Sequence, residues 1–303
     1  MQVHDCQLMR INRNVLKHIL FYFFSTTDLL SLIITCREYN ALWTPDITSR
    51  IEWPLSIVNQ WMTNRRAYVY RLYVDLHTPL IQNVMDSFIS LRQLKFNNTF
   101  NQPLPLGVLP IGLTHLIFGD NFNQPLVAGT LPISIEHLSF GRCYKHPLTA
   151  GVLPDSLTHL TFVDWYGFNQ PLSAGVLPIG LLHLTLGYLY INSLTACVLP
   201  IGLSHLTFSN SFDQPLSASM LPISLTHLTF GYFFNQPLSV GILHVGLTHL
   251  TFGDKFNQPL SAGVLPVGLT HLTIGDAFNQ PLIAGALPIS LKHLTIGDKL
   301  IIL

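Results

Sequence analysis

The feature that most limits what this chain can fold into is a repeat with a period of twenty-two. Copies aligned on Phe-Asn-Gln-Pro-Leu begin at Phe100, Phe122, Tyr144, Phe168, Tyr190, Phe212, Phe234, Phe256 and Phe278. One step is longer by two, through an insertion around Trp165, Tyr166 and Gly167. A tenth copy would start at Leu300 and stop at Leu303. The Leu that follows Pro is present in all nine copies, from Leu104 to Leu282, and Pro is replaced only by Ser193. A pattern held in phase from Phe100 to the last residue identifies one structural unit, copied and stacked.

The spacing within a copy gives the unit its shape. In Leu113-Thr-His-Leu116-Ile-Phe118-Gly, the inward Leu116 and Phe118 alternate with the outward His115 and Ile117. That is period two, hence a short half-buried strand. Gly119 and Asp120 turn the chain, Phe122 and Leu126 re-enter the interior, and Leu131-Pro132 turns it again. Gln124 precedes Pro125 and is biased toward extended backbone, so no helix runs through this point. One copy cannot cover its own apolar face, but stacked copies share a continuous core. The expected fold is a right-handed, leucine-rich-repeat-like β-solenoid with a parallel sheet of nine or more short strands about 4.8 Å apart. The return segments should be extended or irregular because Pro recurs in them. A parallel β-helix is the alternative.

The chain of 303 residues is 49% apolar and only 10% charged, with fifteen basic residues against fifteen acidic. No net field exists to draw in nucleic acid or an acidic membrane surface. The longest apolar stretch near the start, Ile19 to Phe24, is far too short to cross a bilayer. Cys6, Cys36, Cys143 and Cys197 form no CxxC pair, which disfavours zinc ribbons and thioredoxin-like chemistry. Free thiols suit a reducing compartment, so a cytoplasmic or nuclear protein is expected.

Phe-Asn-Gln-Pro-Leu, then Leu-Pro, then Leu-x-x-Leu-x-Phe-Gly resembles the FNIP repeat, which is found in proteins of amoebae and giant DNA viruses. The resemblance covers residues 100–303 and implies a relative of the leucine-rich repeats.

The first hundred residues differ. They hold ten of the fifteen basic and seven of the fifteen acidic residues. Val15, Leu16, Ile19, Leu20 and Phe23 recur at helical spacing, and Leu29, Leu32, Ile33 and Cys36 form a second stripe after Ser25, Thr26, Thr27 and Asp28. Tyr39, Leu42 and Trp43 suggest a third short helix, stopped near Pro45. Asp28-Leu29-Leu30-Ser31-Leu32 followed by Cys36-Arg37-Glu38-Tyr39 is similar to the F-box, with Asn12 where Pro is usual and Tyr39 where Trp is usual. The resemblance implies a small all-α domain over residues 1–50. It would dock a Skp-type adaptor, and through it a cullin, by way of Leu16, Ile19, Phe23, Leu29, Leu32, Cys36 and Tyr39. Residues 51–99 are expected to be a linker and N-terminal cap. Val69 to Val74 and Leu91 to Phe96 mimic the strand spacing there as degenerate repeats.

The candidate functional residues of the array form a column. His115, His137, His159, His183, His205, His227, His249, His271 and His293 are each the outward neighbour of an inward Leu. Two positions on, a second column is mostly Thr, from Thr161 to Thr295. These histidines are either a stacked structural ladder or the surface that binds a client protein, with His137 to His271 the contact candidates. A metal site is disfavoured because no cysteine or carboxylate recurs beside them to complete a coordination shell. Charged imidazoles ~4.8 Å apart would repel by roughly 1 kcal/mol per pair in water, so the rings should stay neutral with lowered pKa values. The Asn-Gln pairs, from Asn101-Gln102 to Asn279-Gln280, read as structural amide ladders. Lys145-His146 and Ile191-Asn192 interrupt them within residues 142–197, a stretch that is a weaker candidate for a specific partner contact.

No nucleophile elbow, P-loop, GxGxxG or HExxH is present. Nine equivalent environments suit binding better than a single reactive pocket. The expected function is that of a substrate receptor in a Skp–cullin–F-box ubiquitin ligase, without cofactor, metal, nucleic acid or membrane. The alternative is a scaffold or decoy that does not engage the adaptor.

Overall fold

The computed structural model describes residues 52–54, 71–74, 88–163 and 167–302. The F-box-like segment lies outside the described residues, with its proposed adaptor contacts Leu16, Ile19, Phe23, Leu29, Leu32, Cys36 and Tyr39; so does Trp165.

Each copy of the repeat is one rung of a solenoid and contributes one strand to a single sheet of thirteen. The strands run in chain order: β1 (Glu52–Pro54), β2 (Arg71–Val74), β3 (Gln93–Phe96), β4 (His115–Ile117), β5 (His137–Phe140), β6 (His159–Phe162), β7 (His183–Thr185), β8 (His205–Thr207), β9 (His227–Thr229), β10 (His249–Thr251), β11 (His271–Ile274), β12 (His293–Ile296) and β13 (Lys299–Ile302). From β1 to β12 every neighbouring pair is parallel, and from β4 to β12 the register sets His on His and Leu on Leu. The return segments are turns and irregular backbone, with no helix among the described residues. Recurrent Pro, which cannot donate to a helical ladder, accounts for this.

Two phenylalanine columns fill the interior. One closes the strands and the other opens each copy, as with Phe118 and Phe122, whose ring centroids lie 3.9 Å apart. Each column also stacks rung on rung, Phe118 on Phe140 at 5.4 Å and Phe122 on Tyr144 at 6.2 Å. Leu113, Leu116, Leu126 and Leu131 and their counterparts pack around them and are buried. The rungs approach so closely after the strand that a Cβ on Gly119 would collide with the Asn97 carbonyl below it. Glycine is therefore required by backbone contact there, not by a turn conformation.

Two features depart from the sequence pattern. β1 pairs Glu52 with Arg71, a shorter step than the repeat period, and its charged flank and Pro54 hid it as a strand. The apolar tail does not begin a tenth rung. The chain reverses at Gly297 (φ 55°) and Asp298, and β13 runs back antiparallel along β12, pairing Ile296 with Lys299 and His293 with Ile302.

Candidate interaction face

The outward face of the sheet carries the histidine column. Its nine rings, each at the first position of a strand, are half-buried. They stack with centroids 4.1 to 4.4 Å apart and interplanar angles of 7° to 23°. That is tighter than the ~4.8 Å strand spacing, so the rings close on one another above the strands that carry them. The structure thus brings His137, His159, His183, His205, His227, His249 and His271 into one ladder, with His115 and His293 at its ends.

A hydroxyl fixes most of the rings. Thr158 Oγ1 lies 2.8 Å from His159 Nδ1 and donates to the Glu136 carbonyl of the preceding rung at 3.0 Å. The same arrangement recurs at His115, His205, His227, His249 and His271, through Thr114, Ser204, Thr226, Thr248 and Thr270. Each hydroxyl ties its ring to the neighbouring rung's backbone and so sets the ring's orientation.

Burial holds His159 down to about 4 from the ordinary 6.5, with the His137, His183, His115 and His205 rings adding to the effect. His183, His205, His227, His249 and His271 are lowered in the same order, by burial first and neighbouring rings second. The depression expected from mutual repulsion is present, but desolvation is its larger cause. Near-parallel rings point their nitrogens the same way rather than at a common centre. Among the described residues no group of three or more His, Cys, Asp or Glu side chains is placed to hold a metal ion.

Beyond the threonine column lies a groove of about 450 Å³, lined in part by Thr185, Thr207, Thr229, Asn210, Tyr232 and Asp254. It gives the face a recess in which regular hydroxyls meet one amide, one phenol and one carboxylate.

The amide ladder behaves differently from its sequence. Asn101 Oδ1 accepts the backbone N–H of Asn123 at 2.9 Å, and Asp213, Asn235 and Asn257 act in the same way on Asn235, Asn257 and Asn279. One donor in each of these bonds is a backbone N–H, beside the side-chain amide that Gln124, Gln236 or Gln258 adds, so Lys145 and Ile191 still donate their N–H groups to Asn123 and Asn169 Oδ1 at 3.0 and 3.1 Å. His146 Nε2 stands in for the missing Gln at 3.1 Å from the Asn123 carbonyl. Lys145 and Ile191 thus close the bond from the rung before, but neither side chain has an acceptor to offer the rung after, so the column is interrupted on that side.

Three features escaped the sequence reading. Serines that take the place of glycine in four of the nine rungs bridge to the rung before: Ser134 Oγ sits 2.7 and 2.6 Å from the Ile111 and Leu113 carbonyls, and Ser224 repeats this. The hydroxyl of Tyr144, fully buried in the phenylalanine column, has no hydrogen-bond partner, and that of Tyr190, equally buried, meets only the Leu172 backbone. Burial raises both phenols, Tyr190 to about 12, with the Leu172 backbone pulling weakly the other way. Finally, the residue after each Leu-Pro (Leu243-His244 in one rung) is an exposed Ile or Val in eight of nine rungs, from Ile111 to Ile289, broken only by Asp155.

The FNIP Repeat family profile matches residues 89–121, 100–143, 122–164, 144–189, 190–233, 234–276 and 256–299. Among solved structures, CroV588, described as a novel circular LRR protein structure, is 37% identical with a TM-score of 0.70 over 84% of this chain. The match covers 38% of CroV588, so the chain spans well under half the length of that protein. A leucine-rich repeat protein from Bacteroides ovatus is 12% identical, with a TM-score of 0.21 over 76% of this chain and 69% of its own. No curated protein matches. One sheet with one strand per rung, together with the CroV588 likeness, places the fold with the leucine-rich-repeat solenoids rather than the β-helices. Among the described residues no helix is long and apolar enough to cross a membrane.

Proposed function

Because the chain belongs to the FNIP repeat family, we propose that it is a protein-recognition scaffold whose strand face holds a client protein. The observation that carries this reading is the unbroken column of nine stacked imidazoles beside a column of hydroxyls, half-exposed along one face of the sheet. Such a face offers many weak polar contacts on a rigid support and little ordering cost on binding. His137 to His271 are its central contacts. The expected outcome of placing carboxylates at its centre, in His183→Asp with His227→Asp, is loss of client capture with the fold retained. Unchanged capture by the folded variant would sink the assignment of this face.

The finer part of the reading rests on the F-box resemblance of residues 1–50. In it, Leu16, Ile19, Phe23, Leu29, Leu32, Cys36 and Tyr39 dock a Skp-type adaptor and so recruit a cullin. Two binding sites on one body raise the effective concentration of the client's lysines near the ubiquitin-loaded enzyme, whose catalytic cysteine belongs to another protein. Asn12, where F-boxes usually carry Pro, supports a second reading in which the chain is a scaffold or decoy that leaves the adaptor alone. A pull-down separates the two. Adaptor recovered by the natural chain and lost in the Leu29→Ala, Leu32→Ala variant supports the receptor. No adaptor recovered by the natural chain supports the scaffold.

A further inference from the structure

The ridge of exposed β-branched side chains runs the length of the array on the flank that leads into the strands. Its members are at least two-thirds exposed, from Ile201 and Val245 at 67% to Ile133 at 87% and Ile289 fully so. A soluble surface scatters single apolar side chains, but one on eight of nine consecutive rungs at a fixed spacing forms a contiguous patch. At roughly 100 Å² of apolar surface per exposed side chain, the ridge offers on the order of 800 Å², the share one partner gives to a stable protein interface.

We infer that this ridge is the interface of a symmetric dimer, in which two copies of the chain lie flank to flank and antiparallel, with the twofold axis at Ile201.

Three observations select a second copy and this arrangement. First, the ridge repeats at the strand spacing, and only another array with the same repeat can mesh with it along its full length. Second, Ile201 lies on the fifth of nine rungs. An antiparallel twofold through it pairs Ile111 with Ile289, Ile133 with Val267 and Ile179 with Ile223. It sets the one charged member, Asp155, against Val245. A parallel pairing would put Asp155 against the Asp155 of the second copy, two like charges at close range, so the antiparallel pairing is selected. Third, the flank is hollowed where the axis would pass. A cavity of about 620 Å³ is lined in part by Ile179, Ile201 and Ile223 together with Cys197, Ala218 and Met220. The small Ala218 and Cys197 leave room there for the opposing isoleucines.

Sedimentation of the full chain tests this. The expected result is a mass near twice 33.9 kDa at micromolar concentration, dissociating on dilution. Ile201→Asp puts two carboxylates on the axis and should weaken association at least ~100-fold. Its unchanged far-UV circular dichroism would confirm the fold, since the side chain is exposed. Asp155→Ile removes both buried carboxylates and should tighten the dimer about tenfold. A monomer at every concentration, as when residues 1–87 or another protein cover the ridge, overturns the proposal. So does a dimer that Ile201→Asp leaves intact, or a mass that keeps growing beyond two copies.

Discussion

His159 stacks on His183 with ring centroids 4.1 Å apart, although the chain between them is longer by two than between any other stacked pair of the ladder. The register His159↔His183 and Leu160↔Leu184 passes the insertion unchanged, so the extra length leaves the ladder and the core undisturbed. The core sets the register, because a slip of one residue would turn Leu184 outward and His183 inward.

The ladder makes stability depend on pH. His159 titrates near 4 in the folded chain and near 6.5 when unfolded, and the lowered values at His183, His205, His227, His249 and His271 act in the same sense. A depressed folded pKa means the unfolded chain binds protons first. The contribution is whole above pH 6.5, declines as the pH falls below it, and for His159 is gone below about 4. The thermal midpoint should therefore fall steadily from pH 7 to pH 4.5. Replacing His159, His183 and His205 together by Gln should flatten that fall. A profile equally steep in the variant would locate the effect elsewhere.

Tyr144→Phe should stabilise the chain, and Tyr190→Phe should do so by less. Both phenols sit fully buried in a column otherwise built of Phe; the Tyr144 hydroxyl has no partner, and the Tyr190 hydroxyl meets only the Leu172 backbone. Removing a buried unpaired hydroxyl while keeping the ring recovers about 1 kcal/mol or more. Urea unfolding measures it as a higher midpoint at unchanged slope. A loss of stability would mean that the hydroxyls are satisfied, for instance by buried water.

The solenoid, its strand positions and its outward histidines are legible in the sequence because one physical rule, alternation of Leu116 and Phe118 with His115, is written nine times over. What stayed hidden depends on which atom does the bonding. Lys145 and Ile191 read as gaps in an amide ladder and are gaps on one side only: their backbone N–H groups close the bond from the rung before, while their side chains offer the next rung no acceptor. Tyr144 and Tyr190 look interchangeable with Phe because the ring fits and only the hydroxyl's surroundings reveal the cost. Ile111 and its successors look like core residues in a repeat rich in apolar positions, and only the fold shows them facing out. The strand at Trp53 falls outside the repeat period, so the repeat could not find it.

The ladder's logic gives a contrast between two substitutions at one site. Asn235 Oδ1 accepts the Asn257 N–H at 2.9 Å and the Gln258 side chain at 3.1 Å. Asn235→Ala should cost about 1–3 kcal/mol, since a partly buried N–H loses its acceptor. Asn235→Asp should cost far less, because Asp213 already fills the same role one rung earlier. Equal losses in denaturant unfolding would show that the side-chain donors of Asn235, not its acceptor oxygen, matter.

Cys197 is the one non-glycine residue with positive φ among those described, at 67°, where Gly175 and Gly241 hold 81° and 88° in other rungs. A side chain in the left-handed region costs on the order of 1 kcal/mol. Cys197→Gly should relieve that strain and, less the gain in unfolded-chain entropy, leave stability level or slightly raised. Gly253→Ala must behave differently. Its φ is ordinary, but an added Cβ would meet the Gly231 carbonyl of the rung below. No flexible side chain can yield there, so the two rungs must separate, with a loss of several kcal/mol or failure to fold. Gly175→Ala is the control, because a Cβ there meets nothing within 4 Å and only the φ penalty of about 1 kcal/mol remains. If thermal unfolding ranks Gly175→Ala as the worse of the two glycine variants, backbone contact between rungs is not what fixes the glycine after each strand.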